Sequence, residues 1–487
     1  MSEIVPNRGI WINGVERPGR SGKKLDVVNP HNGLTLATVA MASRDDAEDA
    51  IVSAQSTFRT QLRDMPIFER AAILRKTAEE IRKGSKELIE IVVAEAGKPI
   101  RDVTREIGRA STLLDLAADY AMVQTGQVLP MDIVESGVNR TGLATRVPVG
   151  VIVAIVPSNS PVNLTINKVG PAIAAGNAVI IKPSDQTPIS ALWLAAAFKR
   201  AGLPDGAINV VIGEVEEAIE PLVRDLRVRM ISITGGVPAG LAVIKAAGIK
   251  KVVLELGSSA ANIVRADADV ASAAKTLATS AYLSSGQACI SAQRIFVHES
   301  VKEEFVSAFV KAAEAMKIGD PMDPEVEIGP MVSQVQAQRV LGWIEEAKAA
   351  GAKVLTGGVA VARTIAPTLL SDVSDKVTLA SSEAFAPVAV LEGFTDDDAV
   401  IEKVNSSIFG LQAGVFTNDL KAAFRFGKDI EAGAIWINDS SRYRQDNYPF
   451  GGMKFSGIGR EGVQYAIEEM TEWKFVGFKL GASKGIL

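Results

Sequence analysis

The sequence has few of the residues that hold metals or form disulfides. Its 487 residues contain one cysteine, Cys289, and two histidines, His31 and His298. A single cysteine excludes an intrachain disulfide and any cysteine-rich zinc or iron–sulfur site. Because the histidines are far apart in the chain, we expect no metal centre.

Excess positive charge and long apolar runs are also missing. The net charge is −5, which argues against a nucleic-acid partner and against a basic membrane-binding face. The most apolar stretch, LATRVPVGVIVAIVPSNSP, is interrupted by Arg146 and by prolines, so it does not predict a membrane span. The N-terminal MSEIVPNRGI has no apolar segment typical of a signal peptide. We therefore expect a cytoplasmic protein.

What is present is a globular composition, with 47% apolar and 22% charged residues. Residues 45–125 show helical apolar spacing, and residues 140–156 resemble a hairpin that leads into a buried strand. Strand-like and helical stretches then alternate, first to about residue 254 and again from about 262 to 440. This alternation predicts an α/β chain with parallel sheets. The final TEWKFVGFKL resembles an exposed strand that lacks a partner.

Cys289, in SGQACISAQR, has two interpretations. A lone cysteine is often a small apolar core residue. A cysteine thiolate is also a nucleophile when its surroundings stabilise the charge. The residue alone favours the first interpretation, a core residue.

Other candidate residues follow predicted strands. Lys182 and Asp185 lie where parallel sheets bind ligands, and Gly235 and Gly236 form a strand-to-helix turn that suits a phosphate. Ordinary loops and turns explain these four residues about equally well.

Two further polar residues stand in unusual positions. Glu255 lies in the apolar strand LELG, which favours a raised pKa and a role as general base, with a salt-bridged strand end as the alternative. Asn159, between two prolines, suits an oxyanion hole. Asparagine is also common in turns, so this second signal is weak.

Taken together, these stretches resemble the NAD(P)-dependent aldehyde dehydrogenase superfamily over about residues 25–475. The motifs that carry the resemblance, in chain order, are SNSP, KPSDQTP, TGGVPAG, LELG, GQAC, SEAFAP and PFGGMKFSGIGREG. Each motif alone is weak or moderate, whereas their joint order and spacing are highly specific. The resemblance favours the nucleophile interpretation of Cys289.

The resemblance implies a mechanism and a fold. Cys289 would attack an aldehyde, Asn159 would stabilise the oxyanion and Glu255 would activate the water that hydrolyses a thioester. The implied fold has two Rossmann-type parallel-sheet domains and a small β oligomerisation element. Its segments are 1–122 and 148–254 for NAD binding, 255–445 for catalysis, and 123–147 with 463–487 for assembly into a homodimer or homotetramer.

The resemblance also implies a cofactor site. NAD is the expected cofactor, because Asp185 would repel the 2′-phosphate of the alternative, NADP. Ser258 and Ala386 replace glycines that are usual in the family. The implied cofactor-binding residues are Ile155, Pro157, Ser158, Lys182, Ser184, Asp185, Gly235, Gly236, Leu256, Glu383 and Phe385.

The substrate end is polar and basic by the same resemblance. The residues expected to line it are Arg109, Ser160, Asn163, Ile290 and Arg444, with Arg105, Asn167 and Arg442 nearby. Arginine pairs well with oxyanions, so we expect a small hydrophilic aldehyde that carries an anionic group. Alternatively, the arginines bridge subunits or face solvent. Two other functions remain open at this stage: a CoA-acylating aldehyde dehydrogenase and a non-catalytic cofactor-binding protein.

Overall fold

The computed structural model describes residues 7–480. Residues 1–6 and 481–487, which begin and end two of the segments expected above, lie outside the described residues. The α-helices are α1 (Arg44–Thr57), α2 (Ile67–Lys83), α3 (Ser85–Ala96), α4 (Ile100–Val123), α5 (Pro161–Ala175), α6 (Pro188–Arg200), α7 (Glu220–Arg224), α8 (Val237–Ala247), α9 (Val270–Tyr282), α10 (Lys302–Glu314), α11 (Gln334–Ala349), α12 (Thr378–Ser381), α13 (Asp397–Asn405), α14 (Leu420–Asp429) and α15 (Val463–Glu469).

The strands are β1 (Asn7–Arg8), β2 (Ile10–Ile12), β3 (Val15–Arg17), β4 (Lys24–Val28), β5 (Thr35–Ala40), β6 (Gln127–Pro130), β7 (Arg140–Pro148), β8 (Val151–Ile155), β9 (Ala178–Lys182), β10 (Ile208–Val210), β11 (Val228–Thr234), β12 (Lys251–Glu255), β13 (Ala261–Val264), β14 (Arg294–His298), β15 (Lys353–Thr356), β16 (Ala360–Val361), β17 (Thr364–Ile365), β18 (Thr368–Ser371), β19 (Val388–Phe394), β20 (Phe409–Gly410), β21 (Gln412–Phe416), β22 (Ala434–Ile437), β23 (Met453–Lys454), β24 (Gly457–Ile458) and β25 (Thr471–Lys479).

The first large sheet has the order β24-β12-β11-β8-β9-β10-β2-β3. Its centre, from β12 to β10, is parallel. The buried runs VIVAI in β8 and AVIIK in β9 are typical of strands covered by helices on both faces. After β8, the chain adds β9 and β10 on one side of that strand. It later adds β11 and β12 on the other side of β8. The carboxyl ends of β8 and β11 therefore border a crevice in which such sheets bind ligands.

The second large sheet has the order β15-β18-β19-β14-β13-β21-β22 and is parallel except at β15. Helices α9 and α10 cover it with an apolar core that includes Tyr282, Phe305 and Phe309. The expectation of an α/β chain with two parallel-centred sheets is confirmed.

A small antiparallel sheet joins β6, β7 and β25. The expected hairpin at residues 140–156 is wrong in its pairing, because β7 pairs with β6 upstream and β8 enters the first large sheet. Sequence alternation shows that a stretch is extended but does not identify its partner. The final stretch forms β25, which pairs with β7 along its full length and leaves its aromatic side chains exposed.

The sheets follow the expected segments closely. Strands β13 to β22 fall within 255–445, and the small sheet falls within the two segments assigned to assembly apart from Pro148, the last residue of β7. Strand β24, however, comes from residues 457–458 and completes the first sheet beside β12. The domain boundaries themselves stay a prediction.

Candidate active site

A cavity of about 460 Å³ lies at the carboxyl ends of the first sheet, between it and the second sheet. Most of the residues singled out from the sequence line it. These are Arg109, Pro157, Ser158, Asn159, Ser160, Asn163, Gly235, Gly236, Glu255, Leu256, Cys289, Ile290, Glu383, Phe385, Arg442 and Arg444. The structure therefore brings together residues that lie up to 335 positions apart in the chain, from Arg109 to Arg444.

Four of the expected cofactor residues lie outside this wall, at the ends of neighbouring strands. Ile155 ends β8 and pairs in register with Lys182, which ends β9. Ser184 and Asp185 follow in the next loop, and Asp185 accepts a hydrogen bond of 2.8 Å from the Lys182 ammonium. The next residue, Gln186, does line the cavity. The four residues thus border the cavity on its β9 side without forming its wall.

Cys289 is half-buried on a tight turn, in which the amide of Ser291 donates to the carbonyl of Ala288 at 3.0 Å. The chain before it is strained, since Ser284 and Ser285 have φ of +53° and +56°. Their hydroxyls donate to Asp102 and to the Gly329 carbonyl, both at 2.8 Å. These two hydrogen bonds hold the strained loop that presents the thiol.

The electrostatic surroundings favour the neutral thiol in this state. Burial, and then the nearby Glu383 carboxylate, raise the pKa of Cys289 to about 12, although Arg444 opposes them. Burial likewise raises the pKa of Glu383 to about 7, against the Ser258 amide and Arg339. The thiol needs a base before it can act as a nucleophile.

Glu255 ends β12 and is buried, with 2% of the residue exposed. Neither carboxylate oxygen has a hydrogen-bond partner among the described residues. Burial, reinforced by the charge of Glu461, raises the pKa of Glu255 well above its ordinary value, against the effects of Arg444, Lys168 and Arg460. An unpaired carboxyl of this kind is available to exchange protons. The alternative interpretation, a salt-bridged strand end, does not describe Glu255 as the structure has it.

A buried ion network lies beside Glu255. Glu461 accepts hydrogen bonds from Lys168 at 2.7 Å and from Arg444 at 2.8 Å. Burial alone would raise the pKa of Glu461, but Lys168 and then Arg444 lower it. The sequence analysis missed Lys168 and Glu461. A lysine in the apolar helix NLTINKVGPAIAA was the available signal, since a buried lysine requires an anionic partner.

Asn159 lies between β8 and α5 and donates from Nδ2 to the carbonyl of Gln287 at 2.9 Å. Gln287 is two residues before Cys289, so this bond fixes the amide beside the thiol. A primary amide has two N–H donors, and the second remains available for an oxyanion. The Oδ1 atom is buried without a partner among the described residues.

The glycine turn after β11 has room for a dinucleotide. A Cβ atom added at Gly235 or Gly236 would meet no heavy atom closer than 3.7 Å. Gly236 precedes the first turn of α8, where backbone amides attract phosphate. The buried hydroxyl of Thr234 lines the same cavity and has no hydrogen-bond partner among the described residues. These features fit a dinucleotide cofactor.

Ser258 and Ala386, which replace glycines usual in the family, leave this arrangement intact. The amide of Ser258 donates to Glu383 at 3.0 Å, so the carboxylate is held by backbone. Ala386 is buried, and neither Ser258 nor Ala386 is part of the cavity wall.

The far end of the cavity is polar, but two of its arginines already have partners. Arg109 makes a two-pronged ion pair with Asp446 at 2.6 and 2.8 Å, and Arg444 pairs with Glu461. The side-chain Oδ1 atom of Asn163 is buried without a hydrogen-bond partner among the described residues, while the hydroxyl of Ser160 accepts from Lys98 at 3.1 Å. Arg105 and Asn167 lie outside the wall.

The described residues hold no cluster of metal-ligating side chains. Among residues 7–480, none of the helices combines the length and apolar character needed to cross a bilayer.

Comparison with known proteins decides the family. The model of the aldehyde dehydrogenase family matches residues 17–476. The chain belongs to the aldehyde dehydrogenase family. The resemblance seen in the sequence is thereby confirmed, and so are the fold and the enzyme class.

Similar proteins match this aldehyde dehydrogenase over nearly its whole length. It is 39% identical to a 3-sulfolactaldehyde dehydrogenase of Priestia aryabhattai, over 97% of this chain and 98% of that protein. The crystal structure of aldehyde dehydrogenase 21 from Physcomitrella patens, in complex with the reaction product succinate, has a TM-score of 0.94 and 34% identity, and covers 98% of this chain and 99% of that one.

A third similar structure bears on the cofactor. The NAD⁺ complex of an aldehyde dehydrogenase from Bacillus cereus also has a TM-score of 0.94 and 34% identity, covering 99% of this chain and 98% of that one. The cofactor of the family is NAD or NADP.

Proposed function

We propose that the protein oxidises a small hydrophilic, anionic aldehyde to the carboxylate with NAD⁺, through covalent attachment to Cys289. The observation that carries this proposal is that Cys289, Glu255 and Asn159 meet in one cavity with the glycine turn. Relatives of known chemistry, one acting on 3-sulfolactaldehyde and one solved with succinate, support the substrate class.

Glu255 begins the reaction as the base. Its unpaired carboxylate takes the proton of the Cys289 thiol, whose raised pKa otherwise keeps it neutral. The sulfur then bonds to the aldehyde carbon, and the carbonyl electrons move to oxygen. The amide of Asn159 donates a hydrogen bond to that oxyanion, a contribution worth roughly 10²–10³-fold in rate.

NAD⁺ held at the turn of Gly235 and Gly236 would supply the hydride acceptor. Loss of hydride from the tetrahedral carbon leaves a thioester on Cys289. Glu255 then releases the thiol proton to solvent. As a carboxylate again, it removes a proton from water, the hydroxide adds to the thioester and the thiolate leaves. The carboxylate product departs. Glu255 thus acts twice. Since neither of its oxygens is hydrogen-bonded to another of the described residues, it is able to serve both steps.

The cofactor would lie along the glycine turn and the ends of β8 and β9. Asp185 would accept hydrogen bonds from a ribose and repel a 2′-phosphate, which favours NAD over NADP. The other proposed cofactor contacts are Ile155, Pro157, Ser158, Lys182, Ser184, Gly235, Gly236, Leu256, Glu383 and Phe385. At the substrate end, we propose contacts from Arg109, Ser160, Asn163, Ile290 and Arg444.

The small antiparallel sheet is the proposed assembly element. Among the described residues, β25 pairs with β7 alone, and Trp473, Phe475 and Phe478 on it are about half exposed. An open strand edge with exposed aromatics favours pairing with a second copy. We propose a homodimer or homotetramer. The cytoplasmic location stays a prediction.

The test is formation of NADH at 340 nm with anionic and neutral aldehydes, with NADP⁺ and CoA as added arms. The Cys289→Ala variant is expected to lose roughly 10³-fold or more in kcat, since the covalent route is removed. A free carboxylate product formed without CoA supports the proposal. Turnover that requires CoA would replace it with the acylating reaction, and retained activity in Cys289→Ala would refute the cysteine mechanism.

A further inference from the structure

Three arginines face the substrate end of the cavity, and their charges are not equivalent. Arg109 and Arg444 are each neutralised by a buried carboxylate, Asp446 and Glu461 respectively. Arg442 has no carboxylate within 4.0 Å among residues 7–480, although it lines the same cavity. The uncompensated positive charge at this end therefore belongs to Arg442.

The contacts of Arg442 are all neutral. Its Nη1 atom donates to the hydroxyl of Ser291 at 2.7 Å and to the carbonyl of Ser280 at 3.4 Å. Asp102 acts on it only from beyond 4.0 Å, and this carboxylate already accepts from Ser284 and faces Arg105. Burial lowers the pKa of Arg442, against the charges of Asp102 and Cys289. A desolvated guanidinium of this kind is stabilised by an anion brought to it.

The backbone that carries Arg442 is fixed by buried hydrogen bonds. The hydroxyl of Ser441 donates to the carbonyl of Ile290 at 3.0 Å, next to Cys289. The amide of Gln412, which is 2% exposed, donates to the carbonyls of Ser441 and Tyr443 on either side of Arg442, at 2.8 and 3.2 Å. The guanidinium is therefore held in advance of ligand binding, which reduces the entropic cost of binding.

The same contacts limit the distance between Arg442 and the thiol. Ser291, which holds the guanidinium, is two residues after Cys289 on a tight turn. Two residues separate their Cα atoms by at most about 7 Å. The Arg442 guanidinium is therefore anchored on the same turn that carries the thiol, which favours a short aldehyde with its carbonyl carbon on the sulfur and its other end at Arg442.

We propose that Arg442 binds the anionic end of the substrate, a short aldehyde that ends in a carboxylate or similar oxyanion. This inference rests on the proposed function and deepens it, because it assigns the specificity to Arg442 rather than to the ion-paired Arg109 and Arg444. The planar guanidinium offers parallel N–H donors that match two oxygens of one head group.

The first test compares kcat/KM for succinate semialdehyde with that for butyraldehyde, which has the same chain length and no charge. In Arg442→Gln, the ratio of the two is expected to fall by about ten- to hundred-fold, the effect of losing a charge-assisted hydrogen bond. Arg442→Lys should give an intermediate ratio, because charge remains but the planar fork is lost. Sulfoacetaldehyde and phosphonoacetaldehyde distinguish the head groups.

Arg105→Gln is the matched control, since Arg105 has a 64% exposed side chain outside the cavity wall. It removes the same charge and should keep the wild-type ratio. If Arg442→Gln keeps the wild-type ratio while NADH still forms, the assignment of Arg442 is overturned and the proposed function stands.

A second test needs no turnover and uses the fact that Cys289 is the only thiol. The rates of its alkylation by 3-bromopropionate and by neutral 3-bromopropionamide are measured in the wild type and in both Arg442 variants. The ratio of the alkylation rate with the anionic reagent to the rate with the neutral reagent should fall in Arg442→Gln. If no aldehyde is oxidised, the proposed function fails, and the alkylation ratio still supports or overturns an anion site at Arg442.

Discussion

At the residue scale, the site depends on burial acting on two groups in the same direction. Burial raises the pKa of the Cys289 thiol and of the Glu255 carboxyl. A buried carboxyl with a raised pKa is a stronger base once ionised, which is what a neutral thiol requires. The charges of Arg444 and Lys168 limit the rise in the pKa of Glu255. Because Glu461 pairs with both cations, it reduces their effect on Glu255.

This arrangement predicts the pH dependence of the reaction. Glu255 must be ionised to act as a base, so kcat should fall as the pH drops through its raised pKa. In Glu461→Gln, a repelling charge is removed and Lys168 and Arg444 are left to attract Glu255. The pKa of Glu255 should fall, and the acid limb of the kcat profile should move to lower pH.

The measurement is kcat against pH for the wild type, Glu461→Gln and Glu255→Gln. Glu255→Gln should lose roughly 10²–10⁴-fold in kcat and show no such limb. Melting curves check that Glu461→Gln is folded, because it leaves Lys168 buried without its partner. An acid limb that stays in place in folded Glu461→Gln would show that this network does not control Glu255.

Cys289 and Glu255 could be found from the sequence because each is an exception in its surroundings, the only thiol and an acid in an apolar strand. The partners of the network could not. Lys168 and Glu461 lie 293 positions apart, and only the packing of α5 against the chain before α15 brings them together. Among the described residues, Arg444 has a carboxylate partner and Arg442, two residues before it, has none. This difference is likewise a property of the fold.

At the element scale, a buried carboxylate caps the helix that follows the β9 loop. Glu95, on α3, is fully buried and accepts hydrogen bonds from the amides of Ile189 and Ser190 in the first turn of α6, at 2.9 and 3.2 Å. Burial raises the pKa of Glu95 to about 8, although these amides oppose the rise. This cap is therefore a neutral acid at low pH and a buried charge at high pH.

The stability of the folded protein should depend on the ionisation of Glu95. The folded state holds the Glu95 proton more tightly than the unfolded chain, whose glutamates titrate near 4.5. The free energy of unfolding should fall as the pH rises from about 4.5 to about 8. In Glu95→Gln, this part of the pH dependence should disappear. Melting temperatures between pH 5 and 8 measure this pH dependence, and Glu69→Gln, at an exposed glutamate, is the control. If the melting temperature of Glu95→Gln changes with pH as steeply as that of the wild type, Glu95 is not its source.

Element boundaries show what sequence patterns can and cannot supply. The apolar runs of β8, β9, β11 and β12 predict buried strands, and the structure has a strand at each of them. The pairing of β7 was wrong, because the same alternation suits any antiparallel partner and the correct one, β6, is a short, fully exposed strand with little apolar pattern.

At the scale of the whole molecule, the exposed edge of the small sheet should control assembly. Introducing a charge there opposes pairing between copies. Phe478→Lys, at a residue 45% exposed on β25, is expected to lower the molar mass measured by light scattering. Leu226→Lys, at an 83% exposed residue of a loop, is the control and should leave the mass unchanged. The same mass for both variants would exclude this edge as the interface.

The order of the chain across the two large sheets also has a consequence for how the enzyme is made. Strand β24, at residues 457–458, pairs with β12 and places Gly457 opposite Glu255. A growing polypeptide on the ribosome cannot cover the proposed catalytic base, Glu255, with this strand until residues 457–458 have been synthesised. We therefore expect nascent chains that stop short of this strand to be inactive.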